Sequence, residues 1–194
     1  MSVLSATALL FLVMDPLGNI PMFLIALANV EPARRRRVII RELVIAFAVL
    51  FAFLLGGRHT LELFHISEPS LSIAGGVILF LIALKMIFRG QESTFAEAAE
   101  EEPFIVPLAV PYLAGPSAMA TVILLVAREP SRWAEWVLAL GAAWSVSAVI
   151  LFFAGEFSRL LGKRGLIAIE RLMGMLLTAV AVQMCLTGVR EFLG

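Results

Sequence analysis

Six stretches of about 20 apolar residues dominate this chain, near residues 3–29, 38–57, 70–88, 104–127, 134–154 and 167–188. That is the length a helix needs to cross the hydrocarbon core of a bilayer, about 30 Å thick at a rise of about 1.5 Å per residue. Fitted into 194 residues, the six segments leave only short links between them, and the 61% apolar content exceeds the roughly 45–50% of a soluble chain. The fold class to expect is an all-α membrane protein of six transmembrane helices, with the lipid bilayer as its solvent. The N-terminus, MSVLSATALLFLVMD, has no basic leader region and runs on into a proline-rich element, so it reads as the first span rather than a cleaved signal.

The links carry the charge and give the orientation. Assigning alternate links to opposite sides puts Arg34, Arg35, Arg36, Arg37, Arg41, Lys85, Arg89, Arg159, Lys163, Arg164 and Arg171 on one side. Only Arg58, Arg128, Arg132 and Arg190 fall on the other. Cytoplasmic links carry the excess of Lys and Arg, so the expectation is a multi-pass protein of the plasma (inner) membrane with both termini outside. Arg34 to Arg37 read as a topology signal that touches anionic headgroups. The longest cytoplasmic link holds Glu97, Glu100, Glu101 and Glu102 and reads as a solvated linker.

Several function classes drop out. The formal net charge is zero and no basic block interleaved with aromatics offers nucleic acid an electrostatic footprint, so no nucleic-acid partner is expected. Cys185 is the one cysteine, so it forms no disulfide within the chain, and with His59 and His65 it lacks the spacing of a zinc site. No metal and no cofactor are expected. Neither HExxH nor GxSxG occurs and Ser117 has no histidine partner within a span, which argues against an enzyme. No nucleotide-binding motif is present to drive pumping by ATP within this chain.

Laid over itself at an offset of 98, the chain aligns its third and sixth spans without gaps. GVILFLIALKMIFRG at 76–90 lies over GMLLTAVAVQMCLTG at 174–188, with Gly76/Gly174, Leu79/Leu177, Ala83/Ala181, Met86/Met184 and Gly90/Gly188 identical. Near offset 100, MDPLGNIP at 14–21 matches LAGPSAMAT at 113–121, with Pro16 over Pro116. The reading is two repeats of three spans, 1–90 and 104–194, joined by an acidic cytoplasmic linker at 91–103 into one structural domain. An odd number of spans per repeat inverts the second copy in the membrane, the architecture of secondary transporters.

The first and fourth spans are expected to be broken at mid-membrane. Pro16 and Pro21 donate no backbone hydrogen bond and Gly18 weakens the turn between them; Pro111, Gly115 and Pro116 do the same in the fourth span. Asp15-Pro16 and Gly115-Pro116 each have the form of an N-cap followed by proline at the first helical position. The second halves, about 16–29 and 116–127, then start at mid-membrane and run to opposite faces, with their amino ends converging on one region that suits a carboxylate. Irregular backbone at that depth is tolerated only inside protein or along a wet cavity.

Asp15 is the chain's one aspartate. It has two readings: a cap satisfied by the amides of Leu17 or Gly18, or a cap that also carries a proton or meets a substrate amine. Asn19 adds a neutral donor and acceptor. Ser117 and Thr121, one turn apart, can offer hydroxyls to the same cavity or bond back to their own helix. Lys85 reads as a snorkelling residue and Gln183 as an interhelical hydrogen-bonding one. Trp133 and Trp136 read as an interfacial belt.

DPLGNIP in the first span, SIAGGVILFLIALKMIF in the third and VPLAVPYLAGPSAMATVILL in the fourth resemble the MarC family of small six-span membrane proteins, which includes the SnatA-type neutral amino acid transporters. The resemblance covers nearly the whole chain. Asp15, Pro16, Gly18 and Asn19 stand on the family's first motif, and Gly115 and Pro116 on its second. That second motif often continues with Gly and a Thr pair, where this chain has Ser117 and Ala120-Thr121. The resemblance implies a secondary transporter of small neutral amino acids such as glycine or alanine; joined to the reading of the broken spans, it leads to the expectation of proton coupling through Asp15 and alternating access, with Asp15, Gly18, Asn19, Gly115, Ser117 and Thr121 at the substrate. Export of other metabolites or drugs, a non-transporting membrane scaffold and a homo-oligomeric state stay open on the sequence.

Overall fold

The computed structural model describes residues 1–27, 30–88 and 113–194, and among these every regular element is helical. Helix α1 spans Val3–Met14, α2 Ile20–Ala26, α3 Pro32–Phe64 and α4 Glu68–Phe88. After the undescribed stretch come α5, Pro116–Arg128, a 3-10 turn at Pro130–Arg132, α6, Trp133–Phe152, and α7, Ala154–Leu193. The linker 91–103 and Pro111 lie outside the described residues. Among the described residues four segments are long and apolar enough to cross a bilayer: Ala33–Gly57, Glu68–Phe88, Pro130–Phe152 and Ala154–Leu193. Helices α1 and α5 are apolar but shorter, at 12 and 13 residues.

Local chemistry fixes the ends. The Ser5 amide donates to Ser2 Oγ at 3.1 Å, which caps α1. Proline at the first position opens both α3 and α5, where its missing N–H costs nothing. The helices reach further than the apolar windows suggest. Helix α3 continues through GGRHTLELF to Phe64 before His65 turns it at φ 53°. Helix α7 takes in the GEFSRLLGKRG link, broken in its backbone only at Gly162, φ 63° and ψ 175°. Links between membrane helices need not be coil when their residues, Leu, Arg, Lys and Glu among them, are themselves good helix formers.

The chain ends gather. The Met1 ammonium pairs with Glu129 at 3.1 Å, Arg132 donates to the Met1 carbonyl at 2.8 Å, and Arg128 pairs with Glu191 at 2.8 Å. A surface cavity of about 610 Å³ brings Leu61–Glu68 beside Ala127 and Pro130. Thus the start of α1, the α3–α4 link, the α5–α6 junction and the last turns of α7 share one end of the molecule. At the other end the Arg36 guanidinium lies 5.7 Å from the Phe152 ring centre, where the beginning of α3 meets the end of α6. Hydrogen bonds from Arg132 and the N-terminal ammonium hold the Glu129 carboxyl below the usual carboxylate range.

Helices α4 and α7 form the most extensive helix pair. They run antiparallel: Ser72 Oγ donates to the Met184 carbonyl at 2.9 Å, and Gly76 lies against Ala181 while Ala83 lies against Gly174. A Cβ on Gly76 would stand 2.8 Å from the Ala181 oxygen, and one on Gly174 would stand 3.0 Å from the Ala83 oxygen. Only glycine lets the two backbones come this close, which is how membrane helices gain contact where lipid supplies no hydrophobic drive. Among the described residues α1 with α6, α3 with α5 and α6, and α4 with α5 make the other large contacts.

Two side chains depart from expectation. Trp136 is fully buried, not interfacial, with Nε1 donating to the Glu129 carbonyl at 3.1 Å and the Arg132 guanidinium 4.6 Å from its ring centre; only Trp133 is exposed. Residues three apart share one face of a helix, so the difference comes from position along it: Trp133 is the first residue of α6, at its end, and Trp136 stands a turn further in on a helix that packs against α1. Gln183 makes no interhelical bond among those seen. Its Nε2 donates to Thr187 Oγ1, one turn along the same helix, at 3.2 Å.

Candidate functional site at the interruption of the first helix and the start of the fifth

Asp15 ends α1 in the left-handed conformation, φ 44° and ψ 58°, with its amide donating to the Phe11 and Leu12 carbonyls. The following proline explains this. Its ring disfavours the right-handed helical region for residue 15, and aspartate is among the few residues that tolerate the left-handed one. Asp15 is therefore the C-cap of the first segment, not the N-cap of the second, which corrects the sequence reading. Residues 16–19 form a single turn, closed by Asn19 N–H to the Asp15 carbonyl at 3.1 Å and Ile20 N–H to Leu17 at 3.3 Å. Helix α2 then starts at Ile20, four residues later than Pro16, with Pro21 in its first turn.

The side chains of this turn stitch it. Asp15 is 6% exposed and its Oδ1 accepts the Gly18 N–H at 3.1 Å. Asn19 Nδ2 reaches back to the Met14 carbonyl at 3.0 Å, satisfying an acceptor that the end of α1 leaves free. Pro16, Gly18 and Pro21 are buried and Asn19 is half-buried. No Cβ fits on Gly18: it would collide with the Asp15 carboxylate and stand 2.5 Å from Met86 Cε of α4. Glu170 on α7 lies within electrostatic range of Asp15 as a like charge.

Gly115 caps α5 in extended conformation, φ −65° and ψ 166°, its carbonyl accepting the Met119 amide at 2.9 Å, and Pro116 takes the first helical position. Leu113, Ala114, Gly115, Ser117 and Thr121 are buried, and Pro116 is exposed. Thr121 Oγ1 donates to the Ser117 carbonyl at 2.8 Å, so the back-bonding reading holds for it. Since α1 begins and α5 ends at the same end of the molecule, their lengths set Asp15 and Pro116 about 18 and about 20 Å in from it, at nearly one depth.

A cavity of about 590 Å³ opens between α1, α4, α5 and α7. It runs from Met1, Arg128 and Glu129 at the shared end down to Ser72, Thr121 and Met184. Most of its wall is apolar, with Leu9, Leu124, Leu125, Ala179 and Val180. That is the size and character of a small-molecule site with a few placed polar groups. Ser72 and Thr121 each commit their hydroxyl proton to a backbone carbonyl, so each presents only oxygen lone pairs to the cavity. The structure thus gathers Asp15, Gly18 and Asn19 in one turn and Gly115, Ser117 and Thr121 in one helix start, and the cavity reaches the second group at Thr121. Among the described residues no three His, Cys, Asp or Glu side chains converge as a metal would require.

Sequence reasoning missed Glu42. It lies on α3, is 2% exposed, and takes hydrogen bonds to Oε1 from Arg41 Nε at 3.2 Å and Nη2 at 2.9 Å, while Oε2 has no partner. The signal was an ionisable residue inside an apolar window, masked by the arginine run just before it.

Residues 1–193 match the family model described as MarC family integral membrane protein. Among similar proteins, the UPF0056 inner membrane protein YhgN of Escherichia coli K12 is 46% identical over 192 residues, covering 98% of each chain. A UPF0056 membrane protein of Buchnera aphidicola subsp. Schizaphis graminum is 44% identical over 190 residues, covering 98% of this chain and 97% of the relative. The UPF0056 inner membrane protein MarC of Escherichia coli O1:K1 is 34% identical over 198 residues, covering 92% and 90%. No solved structure matches.

Proposed function

This chain belongs to the MarC family of integral membrane proteins, and from that premise we propose that it is a secondary transporter of small neutral amino acids rather than an enzyme. It is a multi-pass protein of the inner membrane, the location named for its relatives YhgN and MarC, with both termini outside. One observation carries the reading: the turn after Asp15 and the capped start of α5 lie at nearly the same depth, about 18 and about 20 Å from one end. In a layer about 30 Å thick that is close to the middle. Backbone irregularity there has no use in a passive bundle and is what a midplane binding site is built from.

Two further features support six spans in inverted repeats. The α4–α7 contacts exchange partners: Gly76 meets Ala181 and Cys185, Gly174 meets Ala83 and Ile87, and each residue is 98 positions from its counterpart. A two-fold axis in the membrane plane relates contacts in this way. Helices α4 and α5 pack together, as do α2 and α7, the same pairing carried from one repeat to the other.

Substrate chemistry follows from the donors and acceptors. The first turn of α5 offers amides of Ser117 and Ala118 that have no carbonyl behind them in the helix, and these suit a carboxylate. Ser72 and Thr121, with lone pairs only, suit an ammonium. A compact zwitterion with a small apolar side chain matches the chemistry of these groups and of the aliphatic wall beside Ser72 and Thr121. Asp15 carries the coupling proton and Asn19 holds the turn. Movement of one repeat against the other gives alternating access to opposite sides.

The test is uptake of labelled alanine and glycine into proteoliposomes with and without an imposed pH gradient. Saturable flux that the gradient drives is the expected result. Flux indistinguishable from protein-free liposomes for all neutral amino acids would remove the assignment and favour a scaffold.

A further inference from the structure

We propose that the mouth of the cavity is a second binding position for an α-amino acid zwitterion, its carboxylate held by Arg128 and Thr187 and its ammonium by Gln183. The inference rests on the transporter reading for what the ligand is, and on the residues of the mouth for where it sits. Gln183, Thr187 and Glu191 follow one another at four-residue intervals on α7, so they stand in a column on one helix face, about 6 Å per step. Gln183 and Thr187 line the cavity. Glu191, at the top of the column, meets Arg128, which is the last residue of α5 and part of the same lining. Polar side chains on a membrane helix are costly against lipid, and a wet cavity removes the cost.

What these side chains leave unused is complementary to a zwitterion. Arg128 gives Glu191 one hydrogen bond, from Nη2 to Oε2 at 2.8 Å, and among the bonds described the rest of its donor fork has no acceptor. Thr187 Oγ1 accepts Gln183 Nε2 at 3.2 Å. Thr178 of the same helix donates back to the Gly174 carbonyl at 2.8 Å, whereas Thr187 makes no such bond among those described and keeps its proton for a ligand. The Gln183 amide thus reaches toward Thr187, and its oxygen remains as an acceptor beside the two donors.

The neighbouring charges leave Arg128 as the cation that can change partners. Glu129, also in the lining, accepts from Arg132 at 2.6 Å and from the Met1 ammonium at 3.1 Å, and Arg132 holds Glu135 as well, at 2.6 Å. Glu62, His65 and Glu68 belong to the separate surface cavity beside Ala127. Arg190, next to Glu191, is exposed. The Arg128–Glu191 pair is exposed on both sides, and such pairs hold weakly. A ligand carboxylate can take the free edge of the guanidinium or displace Glu191 from it. Seven residues, about 10 Å of helix, separate Arg128 from Thr121. The two charged groups of one α-amino acid do not bridge that span, so the mouth and the start of α5 are filled in succession or by two molecules.

The test is equilibrium binding of labelled alanine to the full-length protein in detergent, with initial rates of uptake into proteoliposomes beside it. The wild-type protein is expected to hold a second, weaker alanine per chain. Arg128→Gln is expected to lose it and to raise KM for uptake about tenfold at unchanged kcat, and Arg128→Lys to recover part of both. Glu191→Gln supplies the sign: it removes the competitor for the guanidinium, so the second alanine binds at least as tightly as in wild type and KM does not rise. Equal damage from Arg128→Gln and Glu191→Gln overturns the proposal, because the pair then only ties α5 to α7. A single alanine per chain, bound as well by Arg128→Gln as by wild type, also overturns it. A protein that binds the second alanine through Arg128 and carries none across the bilayer loses the transport reading alone; one that transports with a KM indifferent to Arg128 loses this inference alone.

Discussion

Gly76 of α4 and Gly174 of α7 each lie against the other helix at a position that only a hydrogen can occupy, Gly76 facing the Ala181 carbonyl and Gly174 facing the Ala83 carbonyl. The two contacts are the same contact seen from opposite partners, since Ala83 and Ala181 are 98 residues apart, as the glycines are. An added methyl on either side must push the backbones apart, at a cost of about 1–3 kcal/mol for overpacking. Gly76→Ala and Gly174→Ala are expected to lower the melting temperature in detergent by similar amounts, and the double variant by less than the two together, because one displacement serves both. Unequal effects, with one substitution neutral, would show that the pair is not matched.

Much of this arrangement is legible in the sequence, and what is hidden is hidden for identifiable reasons. Apolar windows locate the long helices because a bilayer demands length and hydrophobicity, and alternating link charge anticipates which ends meet, as Met1, Glu129 and Glu191 do. The gapless match of 76–90 to 174–188 points to the close α4–α7 contact, since matched small residues are what such packing selects. The backbone at Asp15 is not legible at residue level. An Asp-Pro pair is as good an N-cap signal as it is a left-handed C-cap, and the choice depends on where Asn19 and Gly18 find their partners. Trp136 is misread and Glu42 missed for one shared reason: helix rotation is set by neighbours far away in the chain, and a window along the sequence does not contain them.

Asp15→Asn keeps an oxygen for the Gly18 amide and keeps a residue that tolerates positive φ, so the variant is expected to fold with nearly unchanged melting temperature. It cannot release a proton. Flux driven by a pH gradient is expected to fall to the level seen without one, while exchange of internal for external alanine persists. Wild-type rates with an unchanged response to pH would remove Asp15 from coupling.

Ser117 sits in the first turn of α5, 3% exposed, with its carbonyl accepting from Thr121, which lines the cavity one turn on. Ser117→Ala is expected to be mild. Ser117→Trp fills the space in which the substrate is placed and is expected to abolish flux. The bulky change also tests folding, so Thr121→Val serves as a partner variant. It removes a lone-pair acceptor at nearly constant volume and is expected to raise the apparent Kd for alanine about tenfold, the effect of roughly 1.4 kcal/mol. Binding by both variants at wild-type affinity, read from ligand-dependent shifts in melting temperature, would put the pocket elsewhere.

Glu129 ties the chain's first residue to the α5–α6 junction, accepting from the Met1 ammonium at 3.1 Å and from Arg132 at 2.6 Å. Its carboxyl is held below the usual range, chiefly by the Arg132 hydrogen bond and then by the ammonium. A carboxyl with a depressed value in the folded state stabilises that state fully above its unfolded value, near 4.3, and ceases to do so as pH falls through the folded one. The wild-type melting temperature is therefore expected to be flat with respect to this group above about pH 5 and to decline below it. Glu129→Gln should start lower and lose that acid limb, with the two curves converging at low pH. The exposed position keeps the effect small and sensitive to salt, so the comparison belongs at low ionic strength. Parallel curves down to the lowest pH would mean that the N-terminal contact contributes nothing to holding this end of the bundle closed.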